Sequence, residues 1–151
     1  MSVARDFPDL PPVWMLGHGA LAWVAAATLP FVEFGGTLAR SLGAFIALAG
    51  VGLAVWAAMW FARRRTTIEP REVPSALIVE GPFRVNRNPI YSGMALVLLG
   101  WAVWLGALSA VLAVLPFPLI IDRRFVRGEE GALREAFGNE ADRYLAGSRR
   151  W

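Results

Sequence analysis

Four long apolar segments, separated by short polar ones, dominate the pattern of the chain. They cover residues 13–31, 38–61, 89–104 and 108–121. The first two are each long enough to cross the hydrocarbon core of a bilayer as a helix. The last two come from one apolar run of roughly 33 residues, which is too long for a single span and is broken by Gly106 and Ser109. The pattern predicts an all-α integral membrane protein with about four transmembrane helices.

Small residues recur along one face of the second apolar segment. Gly43, Ala47, Gly50 and Ala54 follow one another at intervals of three or four residues. Such a stripe allows two helix backbones to approach closely. We therefore expect this segment to pack tightly against a neighbouring helix.

The C-terminal region is amphipathic rather than uniformly apolar. It predicts two helices, over residues 122–137 and 140–146. In the longer helix, Glu129 lies in the middle of an apolar arc and Glu130 lies at the edge of that arc. A carboxylate on an apolar face is costly unless it is paired. Glu129 is therefore expected either to pair with Arg84 or Arg87 or to contact a ligand, with the two helices forming a lid.

The chemistry of residues 81–93, which read GPFRVNRNPIYSG, does not follow from hydrophobicity. Pro89 fixes its own backbone angle and biases Asn88 away from the helical region, so the pair predicts an N-cap followed by the first helical residue. The N-terminus of that helix would direct free backbone N–H groups towards Arg84 and Arg87. Such a place favours an anionic ligand group.

Composition indicates a membrane protein and argues against several other classes. Hydrophobic residues make up 56% of the 151 residues and the mean hydropathy is +0.48, which is too apolar for an ordinary soluble domain. The absence of cysteine excludes disulfides and thiol catalysis, and a single histidine argues against a metal site. The basic pI of about 10.5 would suit a nucleic-acid partner. Because the arginines flank apolar segments, the positive-inside rule explains them better, and we expect no nucleic-acid partner.

The distribution of arginine predicts the topology. Six arginines lie between the second and third apolar segments and seven follow the fourth, whereas residues 33–40 contain one. By the positive-inside rule both termini then face the cytoplasm, and so do the 81–93 motif and the lid. By its length the chain is a single domain, in which residues 1–61 would anchor a catalytic part at residues 62–151.

His18 is the single histidine and lies in the first apolar segment. A histidine inside a membrane is a functional candidate. Near a helix end, however, such a residue more often lies at the interface or bonds a backbone carbonyl. We therefore expect His18 to lie at the interface or to bond a backbone carbonyl, and not to have a functional role.

The motif and the C-terminal region together resemble the isoprenylcysteine carboxyl methyltransferase and phospholipid methyltransferase families. Those families carry a G-x-[FY]-R-x-x-R-[HN]-P-x-Y-x-G signature, then Glu-Glu-x-x-Leu, Phe-Gly, Tyr and a basic-aromatic end. The matching residues here are Gly81, Phe83, Arg84, Arg87, Asn88, Pro89, Tyr91, Gly93, Glu129, Glu130, Leu133, Phe137, Gly138, Tyr144, Arg149, Arg150 and Trp151. The better-studied members have His where this chain has Asn88, so a role that needs an imidazole does not carry over.

This resemblance implies methyl transfer from S-adenosylmethionine at the cytoplasmic face of the inner or plasma membrane, in a pocket closed by the C-terminal segment. No Rossmann domain is expected, since the chain has no G-x-G-x-x-G motif. Cofactor binding is expected of Val79, Gly81, Phe83, Arg84, Arg87, Asn88, Pro89, Tyr91, Gly93, Glu129 and Glu130. Tyr144, Arg149 and Arg150 are expected to be catalytic, the arginines by holding a carboxylate or phosphate of the acceptor.

The resemblance leaves several acceptors open. A lipid-like or prenyl (isoprenylcysteine) carboxylate is expected first, because an ionised carboxylate needs no base to attack a methyl group. The alternatives are N-methylation of a phospholipid headgroup, an NADPH-dependent membrane reductase, and a non-catalytic membrane packing protein. Membrane lipids would be partners in each case, and the sequence does not determine the oligomeric state.

Overall fold

The computed structural model describes residues 7–69, 71, 72 and 74–151. The described residues form helices without a β-strand, in agreement with the expected all-α class. The helices are α1 (Pro11–Thr28), α2 (Thr37–Arg64), α3 (Pro89–Leu105), α4 (Leu108–Val114), α5 (Phe117–Ile121), α6 (Arg127–Phe137) and α7 (Asn139–Gly147). A 3-10 turn at Gly81–Arg84 precedes α3, and a π-helical turn at Asp122–Val126 joins α5 to α6.

The helix ends follow the proline and glycine signals of the sequence. Pro89 is the first residue of α3, where its missing N–H costs nothing. Gly106 ends α3 with φ of 69°, a left-handed conformation that glycine adopts without a steric penalty. Gly138, with φ of 51°, likewise separates α6 from α7. These predicted boundaries are confirmed.

Helices α2 and α3 pack closely through glycines, as the small-residue stripe predicts. A Cβ atom at Gly100 would lie 2.5 Å from the carbonyl oxygen of Gly43. A Cβ atom at Gly93 would lie 2.6 Å from the carbonyl oxygen of Gly50. Because the obstructing atoms belong to the backbone, any side chain at Gly93 or Gly100 would push the two helices apart.

The helix expected over residues 108–121 is interrupted near its prolines. It is divided into α4 and α5 at Leu115 and Pro116. Pro116 and Pro118 lack the backbone N–H groups that would continue the helical hydrogen bonding. The expected helix over residues 122–137 likewise begins as a π-helical turn and becomes α-helical only at Arg127.

The core lies between α1, α3, α4 and α5, whereas α2 is largely exposed. Phe117, Ile121, Phe125 and Val126 are almost completely buried in this core. Among the described residues, one helix, α2, is long and apolar enough to cross a membrane by length and composition, and α3 is a shorter apolar helix. Only 17% of the most apolar window of α2 is buried. Most of the apolar surface of α2 is therefore exposed, unlike that of a core helix.

His18 has the structural role that we inferred for it. It is buried in α1, where its Nδ1 atom donates a hydrogen bond to the carbonyl oxygen of Trp14 at 2.8 Å. Its ring packs edge-on against Phe117, with the ring centroids 5.6 Å apart.

Candidate active site

A cavity of about 600 Å³ lies among the start of α3, the helices α6 and α7, and the connection that follows α2. This volume is typical of a site for a cofactor or another small molecule. The predicted site residues that line it are Phe83, Arg87, Asn88, Pro89, Tyr91, Glu129, Glu130 and Tyr144. The apolar part of the wall comes largely from Phe61, Ile68, Leu77, Ile78, Ile90, Met94, Phe125, Leu133 and Leu145.

Arg87 attaches the C-terminal tail, residues 145–151, to the start of α3. Its guanidinium donates hydrogen bonds to the carbonyl oxygens of Leu145 and Ser148, the latter at 3.2 Å. The Nε atom lies 3.0 Å from Oε1 of Glu130, so the two residues form an ion pair that is largely buried. The backbone N–H of Arg87 also donates to the carbonyl oxygen of Arg149 at 2.9 Å. The hydrogen bonds thus attach the tail to the start of α3, and the ion pair attaches α6 to the same place.

Asn88 takes part in the same attachment. It occupies the N-cap position of α3, but its side chain makes no capping hydrogen bond, which corrects the expected N-cap interaction. Its Nδ2 atom instead donates to the carbonyl oxygen of Arg150 at 3.0 Å. An imidazole N–H can donate in the same way, so an Asn here is compatible with a position where related sequences carry His.

Glu130 is neutralised by two arginines. Besides Arg87, it binds Arg150 through two hydrogen bonds, of 2.9 Å and 2.6 Å. A terminal nitrogen of Arg150 lies 3.3 Å from Asp122, and the adjacent carboxylate of Glu130 raises the pKa of Arg150. The structure thus places Arg150 in an ion-pair network that fastens the tail. The sequence did not single out Asp122, because a carboxylate at the start of a helix is normally exposed to solvent.

Glu129 lies beside this network but contacts Tyr91. The Tyr91 hydroxyl donates a hydrogen bond to Oε1 of Glu129 at 2.5 Å, and both side chains line the cavity. No arginine within the described residues forms an ion pair with Glu129, so the pairing expected for it belongs to Glu130 instead. Burial raises the pKa of Glu129, while the hydrogen bond from Tyr91 opposes that rise.

Tyr144 supports the part of the cavity wall that precedes α3. Its hydroxyl donates to the carbonyl oxygen of Phe83 at 2.9 Å, which joins α7 to the 3-10 turn. Burial raises the pKa of Tyr144 to about 12, so the residue stays a neutral phenol at physiological pH.

The other predicted site residues lie outside the cavity lining. Val79, Arg84 and Arg149 are exposed. Gly81 has φ of 59° and faces the indole of Trp60, which leaves no space for a side chain. Gly93 lies in the contact between α2 and α3. The two glycines of the motif therefore act on the packing that shapes the site.

The raised pKa of Glu129 predicts a pH-dependent stability. The folded protein favours the protonated carboxyl, so this residue's contribution to stability falls as the pH rises above the ordinary value of 4.5 and towards the raised pKa. We expect Glu129→Gln to be as stable as the parent near pH 4.5 and more stable above the raised pKa. Thermal unfolding in detergent across this pH range measures the difference. Glu135 lies at an exposed position of α6, so Glu135→Gln should have the unfolding midpoint of the parent at every pH. The prediction would be contradicted if all three proteins had the same dependence of the unfolding midpoint on pH.

Comparisons with known proteins complete the description of the site. The model of the phospholipid methyltransferase family matches residues 38–140, which is more than half of the chain and includes the motif and both glutamates. An uncharacterized protein of Haemophilus influenzae is 40% identical over 62 residues, which are 41% of this chain and 98% of that protein. No solved structure gives a significant match.

Proposed function

Because the chain belongs to the phospholipid methyltransferase family, a family of membrane methyltransferases, we propose that it transfers a methyl group from S-adenosylmethionine to a lipid-like acceptor at the cytoplasmic membrane surface. The acceptor that we propose first is a lipid or prenyl carboxylate, which would be O-methylated.

The observation that carries this proposal is the charge arrangement of the cavity wall. Glu130 is matched by Arg87 and Arg150, so Glu129 provides a carboxylate without an arginine partner among the described residues. The rings of Tyr91 and Phe83 line the same cavity. A carboxylate among aromatic rings suits a cationic ligand, since both attract positive charge. S-adenosylmethionine carries two such cationic groups, an ammonium and a sulfonium.

Each part of the site would have a defined task. When bound, S-adenosylmethionine supplies a methyl group on a sulfonium sulfur, open to in-line attack. Glu129 would bind the positive charge of the ligand, with Tyr91 holding the carboxylate in place. The tail, fastened through Arg87 and Arg150, would exclude water and fix the approach of the acceptor. An acceptor carboxylate attacks without losing a proton, so O-methylation needs no base.

A second candidate function is N-methylation of a phospholipid headgroup. An amine that accepts a methyl group must lose a proton, and Asn88 cannot take one. The structure offers Glu129, which faces the cavity and whose pKa is raised by burial. Such a carboxylate is suited to accept a proton.

Ligand binding provides the first test of the proposed function. We expect S-adenosylhomocysteine to raise the thermal unfolding midpoint of the purified protein in detergent, and NADPH to leave it unchanged. Glu129→Gln should weaken S-adenosylhomocysteine binding by about 1.5 kcal/mol, the loss of one charged hydrogen bond, and Glu135→Gln should not. Stabilisation by NADPH would instead support the reductase, and stabilisation by neither ligand would support a packing protein.

The bond formed to the acceptor separates the two methyl-transfer functions. Membranes that contain the protein are incubated with S-adenosylmethionine labelled in the methyl group. A carboxyl methyl ester releases labelled methanol on treatment with base, whereas an N-methyl group does not. Release of the label supports O-methylation, and base-stable label in the headgroup supports N-methylation.

Topology gives a test of the membrane arrangement. We expect both termini in the cytoplasm, so reporters fused after Trp151 and inserted at residues 35–37 should report opposite sides of the membrane. A C-terminus on the outer side would contradict the proposed cytoplasmic site.

A further inference from the structure

A second cavity, of about 390 Å³, forms a groove along α1. Val13, Gly17 and Leu21 line it and recur every four residues, so they share one face of the helix. A Cβ atom at Gly17 would meet no atom of the described residues within 4 Å, and Leu21 is 54% exposed. This face of α1 therefore gives the groove an apolar wall, which suits a hydrocarbon chain.

Charged and aromatic groups lie together at one end of this groove. The guanidinium of Arg124 stacks on the ring of Trp14 at 5.0 Å, and its Nε atom donates to the carboxylate of Asp9 at 2.9 Å. The hydrogen bond from Arg124 holds the pKa of Asp9 well below its usual range, so both residues stay ionised. The two terminal nitrogens of Arg124 make no hydrogen bond to any residue in the described part of the chain, and its side chain is 47% exposed.

His18 adds a polar group to the wall of the groove. It is only 8% exposed, and its Nδ1 atom donates to the carbonyl oxygen of Trp14. The Nε2 atom has no hydrogen-bond partner among residues 7–69, 71, 72 and 74–151. In the neutral ring this nitrogen is an acceptor, which suits a hydroxyl group.

We propose that this groove binds an anionic phospholipid, with an acyl chain along Val13, Gly17 and Leu21 and the phosphate on the terminal nitrogens of Arg124. A guanidinium that still has two free amino groups binds a phosphate oxygen pair well. A headgroup hydroxyl, as in phosphatidylglycerol, can in addition donate to His18. Arg124 lines the main cavity as well, so the headgroup of the bound lipid lies next to the candidate active site.

This proposal assumes that α1 contacts lipid but does not depend on methyl transfer, so its test measures binding alone. The purified protein in neutral detergent is titrated with dioctanoyl phosphatidylglycerol or dioctanoyl phosphatidylcholine, and the thermal unfolding midpoint is recorded. We expect saturable stabilisation by phosphatidylglycerol and a much weaker response to phosphatidylcholine. Equal stabilisation by the two lipids would overturn the proposed role of Arg124.

Two substitutions at open glycines locate the binding site. Gly17→Leu fills the groove and should raise the half-saturating concentration of phosphatidylglycerol about tenfold or more, equivalent to roughly 1.4 kcal/mol. Gly52→Leu, on α2, also enters open space and should bind phosphatidylglycerol like the parent. Arg124→Gln should be stabilised equally by phosphatidylglycerol and phosphatidylcholine, when both lipids are titrated into that variant. Unchanged binding by Gly17→Leu, or an unchanged preference in Arg124→Gln, would overturn the proposal.

Discussion

Replacing Arg87 by alanine is expected to lower the free energy of unfolding by about 3 kcal/mol, release the C-terminal tail and abolish measurable binding of S-adenosylhomocysteine. The substitution removes the ion pair with Glu130 and the hydrogen bonds to the carbonyl oxygens of Leu145 and Ser148. Breaking a buried ion pair costs about 3–5 kcal/mol because the remaining charge has lost its partner. We expect the lower end of this range, since Arg150 still contacts Glu130.

The same motif contains a matched control. Arg84 is exposed and is not hydrogen-bonded or ion-paired to any residue in the described ranges, so Arg84→Ala should keep both stability and ligand binding. Arg87→Lys should be intermediate, because an ammonium preserves the charge but cannot reproduce the several hydrogen bonds of a guanidinium.

A readout from the tail distinguishes positioning from direct ligand contact. Hydrogen exchange at residues 145–151, measured without ligand, should be fast in Arg87→Ala and slow in the parent and in Arg84→Ala. If Arg87→Ala lost ligand binding while its tail stayed protected, Arg87 would act on the ligand directly and its proposed positioning role would be wrong.

Replacing Gly93 by valine is expected to destabilise the protein by about 3 kcal/mol, the upper end of the usual cost of overpacking. A Cβ atom at Gly93 would lie 2.6 Å from the carbonyl oxygen of Gly50 and 2.9 Å from the Cβ atom of Ala54. Neither atom can rotate away, so α2 and α3 must separate along their length. Thermal unfolding in detergent measures the loss.

Gly52→Val is the control for this experiment. Gly52 is on α2, like Gly50, but a Cβ atom there would meet nothing within 4 Å in the described part of the chain. The variant should therefore be about as stable as the parent. If Gly93→Val were equally stable, the close contact between α2 and α3 would not exist in solution. If it folded normally and lost only ligand binding, Gly93 would belong to the ligand site, as the motif resemblance first implied.

The helices could be predicted because their causes are local. Apolar runs of sufficient length, Pro89 at a helix start and Gly106 at a helix end depend on residues that are close in the sequence. The small-residue stripe also predicted a close helix contact, although not its partner. The number of membrane spans stays a prediction, since α2 alone among the described helices meets the length and composition of a span.

The division of roles between Glu129 and Glu130 could not be predicted in the same way. Helical periodicity placed Glu129 at the centre of the apolar face, where it would either pair with a motif arginine or contact a ligand. In the structure Glu130 is the carboxylate that pairs with Arg87 and Arg150, while Glu129 meets Tyr91. Adjacent positions on a helix differ by about 100°, so a modest rotation of α6 decides which glutamate meets which partner.

By itself, the sequence determined the all-helical class, most helix boundaries, a close contact through glycines and part of the set of residues that line the cavity, because these follow from local periodicity and from a motif with fixed spacing. Only the tertiary structure decided that Arg87, Asn88 and Arg150 hold the tail, that Tyr91 holds Glu129, and that Gly81 and Gly93 lie outside the cavity. The physical reason is that each of these contacts joins segments far apart in the chain. Their geometry depends on how the helices pack and on the path of the tail, which no local pattern encodes.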